Sequence, residues 1–257
     1  MSFTTLRLEF EGDLAAITLN RPEKRNAISR EMSEDLVRAL DEAEAGPARV
    51  AILTGAGTAF CAGMDLDMLR AISAQSAEQN LEDSRRMLRL FQRLYGFAKP
   101  LIAAVNGAAI AGGCGLAMLC DFTLAAPEAT FGFTEVRIGF IPAVVSVFLV
   151  RQVGEKRARD LLLSGRIFGA EEAQRLGLVS EVVPAARLLE RARELAATLV
   201  AASPTSLART KRLLRSYAEA EISRELELAV AENAAIRATA DFREGLAAFL
   251  EKRRPRW

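Results

Sequence analysis

The sequence predicts an α/β protein with a helical C-terminal region, and three observations carry that reading. Leu6, Leu8 and Phe10 alternate with Arg7, Glu9 and Glu11, the two-residue period of a strand. The apolar run Leu101–Val105 meets Asn106-Gly107, and then Ala111-Gly112-Gly113-Cys114-Gly115 opens a small-residue helix. From Ala186 onward no strand pattern returns, and Ser203-Pro204 marks a helix start. The expected organisation is a core over residues 1–185 and a helical region over 186–257.

Each element has its own signal. Gly12-Asp13 turns the first strand into a second, Leu14–Asn20. Arg21 to Asn26 is a polar loop. Ser29 caps a helix that carries Met32, Leu36, Val37 and Leu40 on one face. Arg49–Thr54 is a buried strand ending at Gly55-Ala56-Gly57. A loop runs through Cys61-Ala62-Gly63, Asp65 starts a helix, and residues 76–97 form a longer one. A second strand follows the small-residue helix. Beyond Phe131, helices are expected over 142–152, 155–164 and 170–176, and a last strand over Leu178–Val183.

Composition removes several function classes. The chain has 257 residues, 34 Lys and Arg against 33 Asp and Glu, and no histidine. Without histidine there is no Ser-His-Asp or Cys-His catalysis and no His-ligated metal. Acid–base work near neutral pH falls to carboxylates, lysine, tyrosine or cysteine. A balanced charge, two Tyr and one Trp fit neither a nucleic-acid binder nor a base-stacking surface. Cys61, Cys114 and Cys120 are too few and too scattered for a disulfide framework, which fits a reducing compartment such as the cytoplasm. Early Glu9, Glu11 and Asp13 do not suit a signal peptide. The uncharged stretch Leu101–Cys120 is long enough for a bilayer, but Asn106 and four glycines interrupt it, so no membrane span is expected.

The two glycine turns carry the chemistry. Gly55-Ala56-Gly57 follows a strand, yet Phe60 stands where a dinucleotide fingerprint needs its third glycine. The better use is joint. A thioester carbonyl that becomes an enolate needs two donors aimed at one oxygen, supplied by different segments. Phe60-Cys61-Ala62-Gly63-Met64 can offer one N–H and Ala111-Gly112-Gly113 the other. Glu135 lies just beyond Phe131-Gly132.

Successive motifs resemble the enoyl-CoA hydratase/isomerase family, the crotonase superfamily, over essentially the whole chain. They are Leu19-Asn20-Arg21-Pro22 with Asn26-Ala27, then Ala59 to Leu66, Asn106-Gly107 with Gly112-Gly113-Cys114, Cys120-Asp121, Phe131-Gly132 with Glu135 and Gly139, and Phe249 to Arg253. The resemblance implies a crotonase-like spiral of ββα units, assembled as a homotrimer or a dimer of trimers. It implies an oxyanion hole from the N–H groups of Met64 and Gly112, with Glu135 as the catalytic glutamate. Lys24, Arg25 and Ala27 fall where the family holds coenzyme A, as does the Lys252 region. Ala62, Gly63, Asp65, Leu66, Gly113, Gly115 and Pro142 are the remaining substrate-contact candidates. No metal or other cofactor is implied, since coenzyme A is part of the acyl-CoA substrate.

Two departures bear on the reaction. Two-glutamate hydratases of the family have their other glutamate where this chain has Gly115, and their Pro-Gly-x-Gly-Gly reads Pro142-Ala143-Val144-Val145-Ser146 here. Glycine at 115 is expected to widen the pocket. A single carboxylate suits proton shuttling in an enoyl-CoA isomerase, whereas some one-glutamate relatives are hydratases. The expected function is 2-enoyl-CoA hydratase, with isomerase as the alternative and a non-catalytic acyl-CoA-binding protein as the alternative of another class. The fold also resembles that of Clp-type serine proteases, whose triad needs the histidine this chain lacks.

Overall fold

The computed structural model describes residues 3–72 and 75–257. Strands β1 (Leu6–Glu11) and β2 (Leu14–Leu19) form the expected antiparallel hairpin. The Ser29 hydroxyl accepts from the Met32 N–H at 3.0 Å and so starts α1 (Arg30–Ala45).

A repeating unit then sets the architecture. The successive pairs are β3 (Val50–Gly55) with β4 (Ala59–Cys61), β5 (Leu101–Val105) with β6 (Ala108–Ile110), and β7 (Phe122–Ala125) with β8 (Thr130–Gly132). In each pair the first strand joins a large sheet and the second a small one. Helices follow the pairs: α2 (Leu66–Ile72) and α3 (Ala77–Tyr95), then α4 (Gly112–Met118), then α5 (Ala143–Val153) and α6 (Glu155–Ser164). After β9 (Ile167–Gly169), α7 (Ala170–Arg175) and β10 (Glu181–Val182), the large sheet has the order β1-β2-β3-β5-β7-β10 and the small one β4-β6-β8-β9. This is the expected spiral of ββα units. The interior strands β3 and β5 are buried throughout, so they read as unbroken apolar runs rather than alternating ones.

The sequence reading omitted β4, β6, β8 and β9. Each has three residues, too few to display a two-residue period. The last strand is shorter than expected, two residues in place of Leu178–Val183.

Residues 186–257 form α8 (Leu188–Val200), α9 (Pro204–Ser216), α10 (Glu219–Ala235) and α11 (Ala240–Leu250), with a 3-10 turn at Ile236–Ala238. They share the core of what precedes them. Leu188, Ala192 and Ala196 of α8 pack with Val50, Ile52, Ile102 and Leu124 on one face of the large sheet. Ile222, Leu226 and Val230 of α10 join the main cluster, which holds Phe91 and Phe148. Among the described residues no helix is long and apolar enough to cross a membrane.

Candidate active site

Strands β4, β6 and β8 run parallel, so their C-terminal ends open on one side of the small sheet. The chain leaving these ends supplies Ala62 and Met64, then Ala111 and Gly112, then Thr134 and Glu135, and all six line one cavity of about 340 Å³. Ligand sites collect at such strand ends because loops there converge while the sheet behind stays rigid.

The first turn is held by a parallel bridge between Ile28 and Met64. Ile28 donates to the Gly63 carbonyl at 2.7 Å and accepts from the Asp65 N–H at 2.9 Å. Ile28 thereby bonds the residues on either side of Met64, and the Met64 N–H has no backbone acceptor among the described residues. Buried Asn26 fixes this region. Its Oδ1 accepts from the Arg21 N–H at 2.9 Å, and its Nδ2 donates to the carbonyls of Ala56 at 2.9 Å and Ala59 at 2.8 Å.

The second turn starts α4. Gly112 is the first helical residue, so its N–H has no intrahelical acceptor. Ala111 before it adopts φ 51° and ψ −121°, a conformation that costs a residue with a side chain on the order of 1–3 kcal/mol. The bond from the Ala111 N–H to the Gly132 carbonyl, 2.7 Å, holds it there. At Gly113 a Cβ would lie 2.1 Å from the Cys61 carbonyl oxygen, so only glycine lets α4 begin against β4.

Glu135 opens a 3-10 turn, Glu135–Ile138, that ends at Gly139. Its Oε2 is buried and accepts no hydrogen bond, although the residue as a whole is half-buried. Burial pushes the carboxyl up to about 7, against a smaller downward pull from its own N–H. It is the one carboxylate among the residues lining the cavity. A base of this kind, lining one cavity with two residues whose N–H groups are free, can move a proton beside a carbonyl whose oxygen those N–H groups hold.

Of the residues expected from the sequence, Lys24, Arg25, Ala27, Ala62, Met64, Leu66, Gly112, Glu135 and Pro142 line this cavity. Gly63, Asp65, Gly113, Gly115 and Lys252 do not. Gly63, at φ 94°, packs on the Ile110 carbonyl. Asp65 is buried outside the cavity: its Oδ1 accepts from the Asp67 N–H at 2.8 Å and its Oδ2 pairs with Arg21 at 2.9 Å. Lys252 is exposed in the tail, where its neighbour Arg253 pairs with Glu244 at 2.6 Å. Gly115 does not widen the cavity, because a Cβ there would lie 2.7 Å from Val145 Cγ1 and 3.0 Å from the Phe91 ring.

The sequence reading missed Met87 and Phe91 of α3, Val145 of α5, and Asn233, Arg237 and Phe249 of the C-terminal region. Asp83, Met87 and Phe91 at four-residue spacing carried a usable helical signal. Arg237, between Ile236 and Ala238, carried none. The three cysteines are buried and free, and burial pushes the Cys61 thiol up to about 12 and raises Cys114 and Cys120 further. None is poised as a nucleophile.

Comparisons with known proteins give the family. The family model for enoyl-CoA hydratase/isomerase matches residues 9–257. A Thermus thermophilus protein provisionally named an enoyl-CoA hydratase is 48% identical over 248 residues, 96% of this chain and 98% of the relative. A 2,3-dehydroadipyl-CoA hydratase of Escherichia coli is 38% identical over 241 residues, 93% of this chain and 92% of the relative. The crystal structure of an enoyl-CoA hydratase/isomerase from Xanthobacter autotrophicus superposes with a TM-score of 0.90 at 32% identity, covering 98% of this chain and 97% of that one. Fold, strand-end cavity and relatives converge, and this chain belongs to the enoyl-CoA hydratase/isomerase family, the crotonase superfamily.

Proposed function

We propose that the protein is a 2-enoyl-CoA hydratase that works with one glutamate. The observation that carries this is the unpartnered Oε2 of Glu135 in a cavity lined also by Met64 and Gly112, whose N–H groups have no backbone acceptor among the described residues. The thioester oxygen sits in the hole formed by those two N–H groups. Glu135 takes a proton from water as the water oxygen bonds to C3 and the carbonyl becomes an enolate. The N–H pair holds the negative oxygen. Protonated Glu135 then gives its proton to C2, so that H and OH have been added and the carboxylate is restored. A carboxyl near 7 suits both halves, since it gains and loses a proton at similar cost.

Lys24 and Arg25 are exposed where they line the cavity, and cations so placed suit the phosphates of coenzyme A. The reading calls on no metal or redox cofactor. A cytoplasmic location is supported by three free cysteines, and assembly as a homotrimer or a dimer of trimers by exposed Leu213, Leu214 and Tyr217 at the end of α9.

The single carboxylate favours a second reading, proton shuttling between C2 and C4 in an enoyl-CoA isomerase. Incubation with a panel of enoyl-CoAs separates the two by product mass. Hydration adds one water, isomerisation leaves the mass unchanged, and no turnover of any member overturns both.

A further inference from the structure

The end of the cavity at α3 and the C-terminal helices is polar. Arg237 is buried, 4% exposed, and lines the cavity. Its Nη1 donates to Asp83 at 2.8 Å and to the Asn80 side-chain oxygen at 3.3 Å, and its Nη2 to the Asn233 side-chain oxygen at 3.0 Å, while its Nε is buried without an acceptor. Asn233 also lines the cavity. Its Oδ1 accepts from Arg237 and from the Ser84 hydroxyl at 2.8 Å, which fixes the amide orientation. The Asn233 Nδ2 donates to no described group. Arg237 and Asn233, two hydrogen-bonded side chains that both line the cavity, thus each keep one donor without an acceptor among the described residues.

Charge points the same way. Asp83 is shared between buried Arg237 at 2.8 Å and partly buried Arg86 at 3.2 Å, two guanidiniums on one carboxylate. The other partner of Arg86, Glu34, is a surface residue with its side chain 55% exposed. Helix α3 measures the distance to the chemistry. Asp83 stands two turns from Phe91, roughly 12 Å at 1.5 Å per residue. The Phe91 ring is 4.0 Å from where a Cβ at Gly112 would lie.

We infer that Arg237 and Asn233 form a subsite for a carboxylate at the far end of the acyl chain, so that the preferred substrate is a carboxyl-terminated enoyl-CoA of medium length. The carboxylate brings two acceptor oxygens to two unused donors, and one negative charge to the excess cation. An acyl chain ending in a methyl group leaves both donors without an acceptor and desolvated. The inference rests on the acyl-CoA reading of the cavity.

The test measures binding as well as turnover. Dissociation constants are determined by calorimetry for two saturated acyl-CoAs of equal chain length, one ending in a carboxylate and one in a methyl group. Turnover is followed with the matching enoyl-CoAs. The wild type is expected to bind the carboxylated compound about 10–100-fold more tightly, the worth of hydrogen bonds to a charged group. Asn233→Asp keeps the oxygen that Arg237 and Ser84 need and replaces the free donor with a negative oxygen, so the ratio of the two constants should fall or invert. Arg237→Lys keeps the charge facing Asp83 and removes the Nε donor, and should lower the same ratio. Equal or weaker binding of the carboxylated compound by the wild type, or a ratio unmoved in either folded variant, overturns the subsite. A preserved ratio without any hydration overturns the reaction and leaves the subsite standing.

Discussion

Asp65 and Glu135 follow equivalent strands, β4 and β8, and their surroundings are opposite. The Asp65 carboxylate faces Arg21 at 2.9 Å and takes a hydrogen bond from the Asp67 N–H. Burial alone would raise its pKa, but these partners outweigh it and hold the carboxyl below its ordinary value. Glu135 has a buried oxygen without a partner, and burial raises it to about 7. An ion-paired carboxylate stays charged and anchors a turn. An unsatisfied one changes protonation near neutral pH and is available to a substrate.

The largest expected effect breaks this contrast at its reactive member. Glu135→Gln keeps the shape and cannot accept a proton, so kcat should fall roughly 10²–10⁴-fold. Acyl-CoA binding should persist, and the melting temperature near pH 8 should not drop, because the amide removes a buried charge. Activity within a few-fold of the wild type would remove Glu135 from the reaction.

The complementary variant is Asp65→Ala. It strands Arg21, 18% exposed, beside the turn that holds Met64. The expected loss is about 3 kcal/mol of stability, the low end for a broken buried pair because Arg21 reaches water. Denaturant unfolding measures it. A stable variant with abolished turnover would show that Asp65 belongs to the chemistry and that the contrast fails.

The two carboxylates also differ in how pH acts on them. Glu135 shifts from its ordinary 4.5 to about 7 on folding. The folded state therefore holds the proton longer than the unfolded chain does. Its contribution to stability is fully present below about 4.5 and is lost as pH rises through about 7, with a slope of at most about 1.4 kcal/mol per pH unit. Asp65, held low, acts in the other sense: its contribution is present above its ordinary 3.8 and fades as pH falls below that. Unfolding free energies across pH 5 to 8 should show a downward component in the wild type that Glu135→Gln lacks. In parallel, kcat/KM should rise with pH through about 7 as the base ionises. Identical pH–stability curves for the two proteins would refute the buried, unpartnered state of Glu135.

How legible these features were depends on their physical origin. The hairpin and α1 with its Ser29 cap show in periodicity and capping, and the buried β3 and β5 in short apolar runs, because those signals are local. Glu135, Met64 and Gly112 were reachable through motifs, because glycines at close approaches such as Gly113 leave a mark in the sequence. The three-residue strands β4, β6 and β8 left none, since they are stabilised by neighbours distant in the chain. Asn233 and Arg237 were invisible for the same reason: their partners Ser84 and Asp83 lie on a helix about 150 residues earlier, at separations of 149 and 154. Asp65 was readable as a residue and misplaced as a contact, because its sequence does not say which way the carboxylate turns.

The smallest effect concerns the carboxylate that is missing. The departures at Gly115 and at Val145 look independent in sequence, thirty positions apart. In space they are one exchange: a Cβ at 115 would lie 2.7 Å from Val145 Cγ1, so the valine fills the volume that a side chain at 115 would enter. Gly115→Glu alone should overpack this contact and cost about 1–3 kcal/mol. Val145→Gly alone should cost stability through a cavity and a weakened helix. Together they should cost less than the sum, with a coupling of about 1 kcal/mol, as contacting positions do. The double variant would also add a carboxylate to α4. If it reaches the cavity, like-charge repulsion should move the rising limb of kcat/KM to higher pH. Additive losses would mean that Val145 does not occupy the place of the missing side chain. An unshifted pH profile in a folded double variant would mean that position 115 points away from the reacting carbons, and that hydration in this chain gains nothing from a second glutamate.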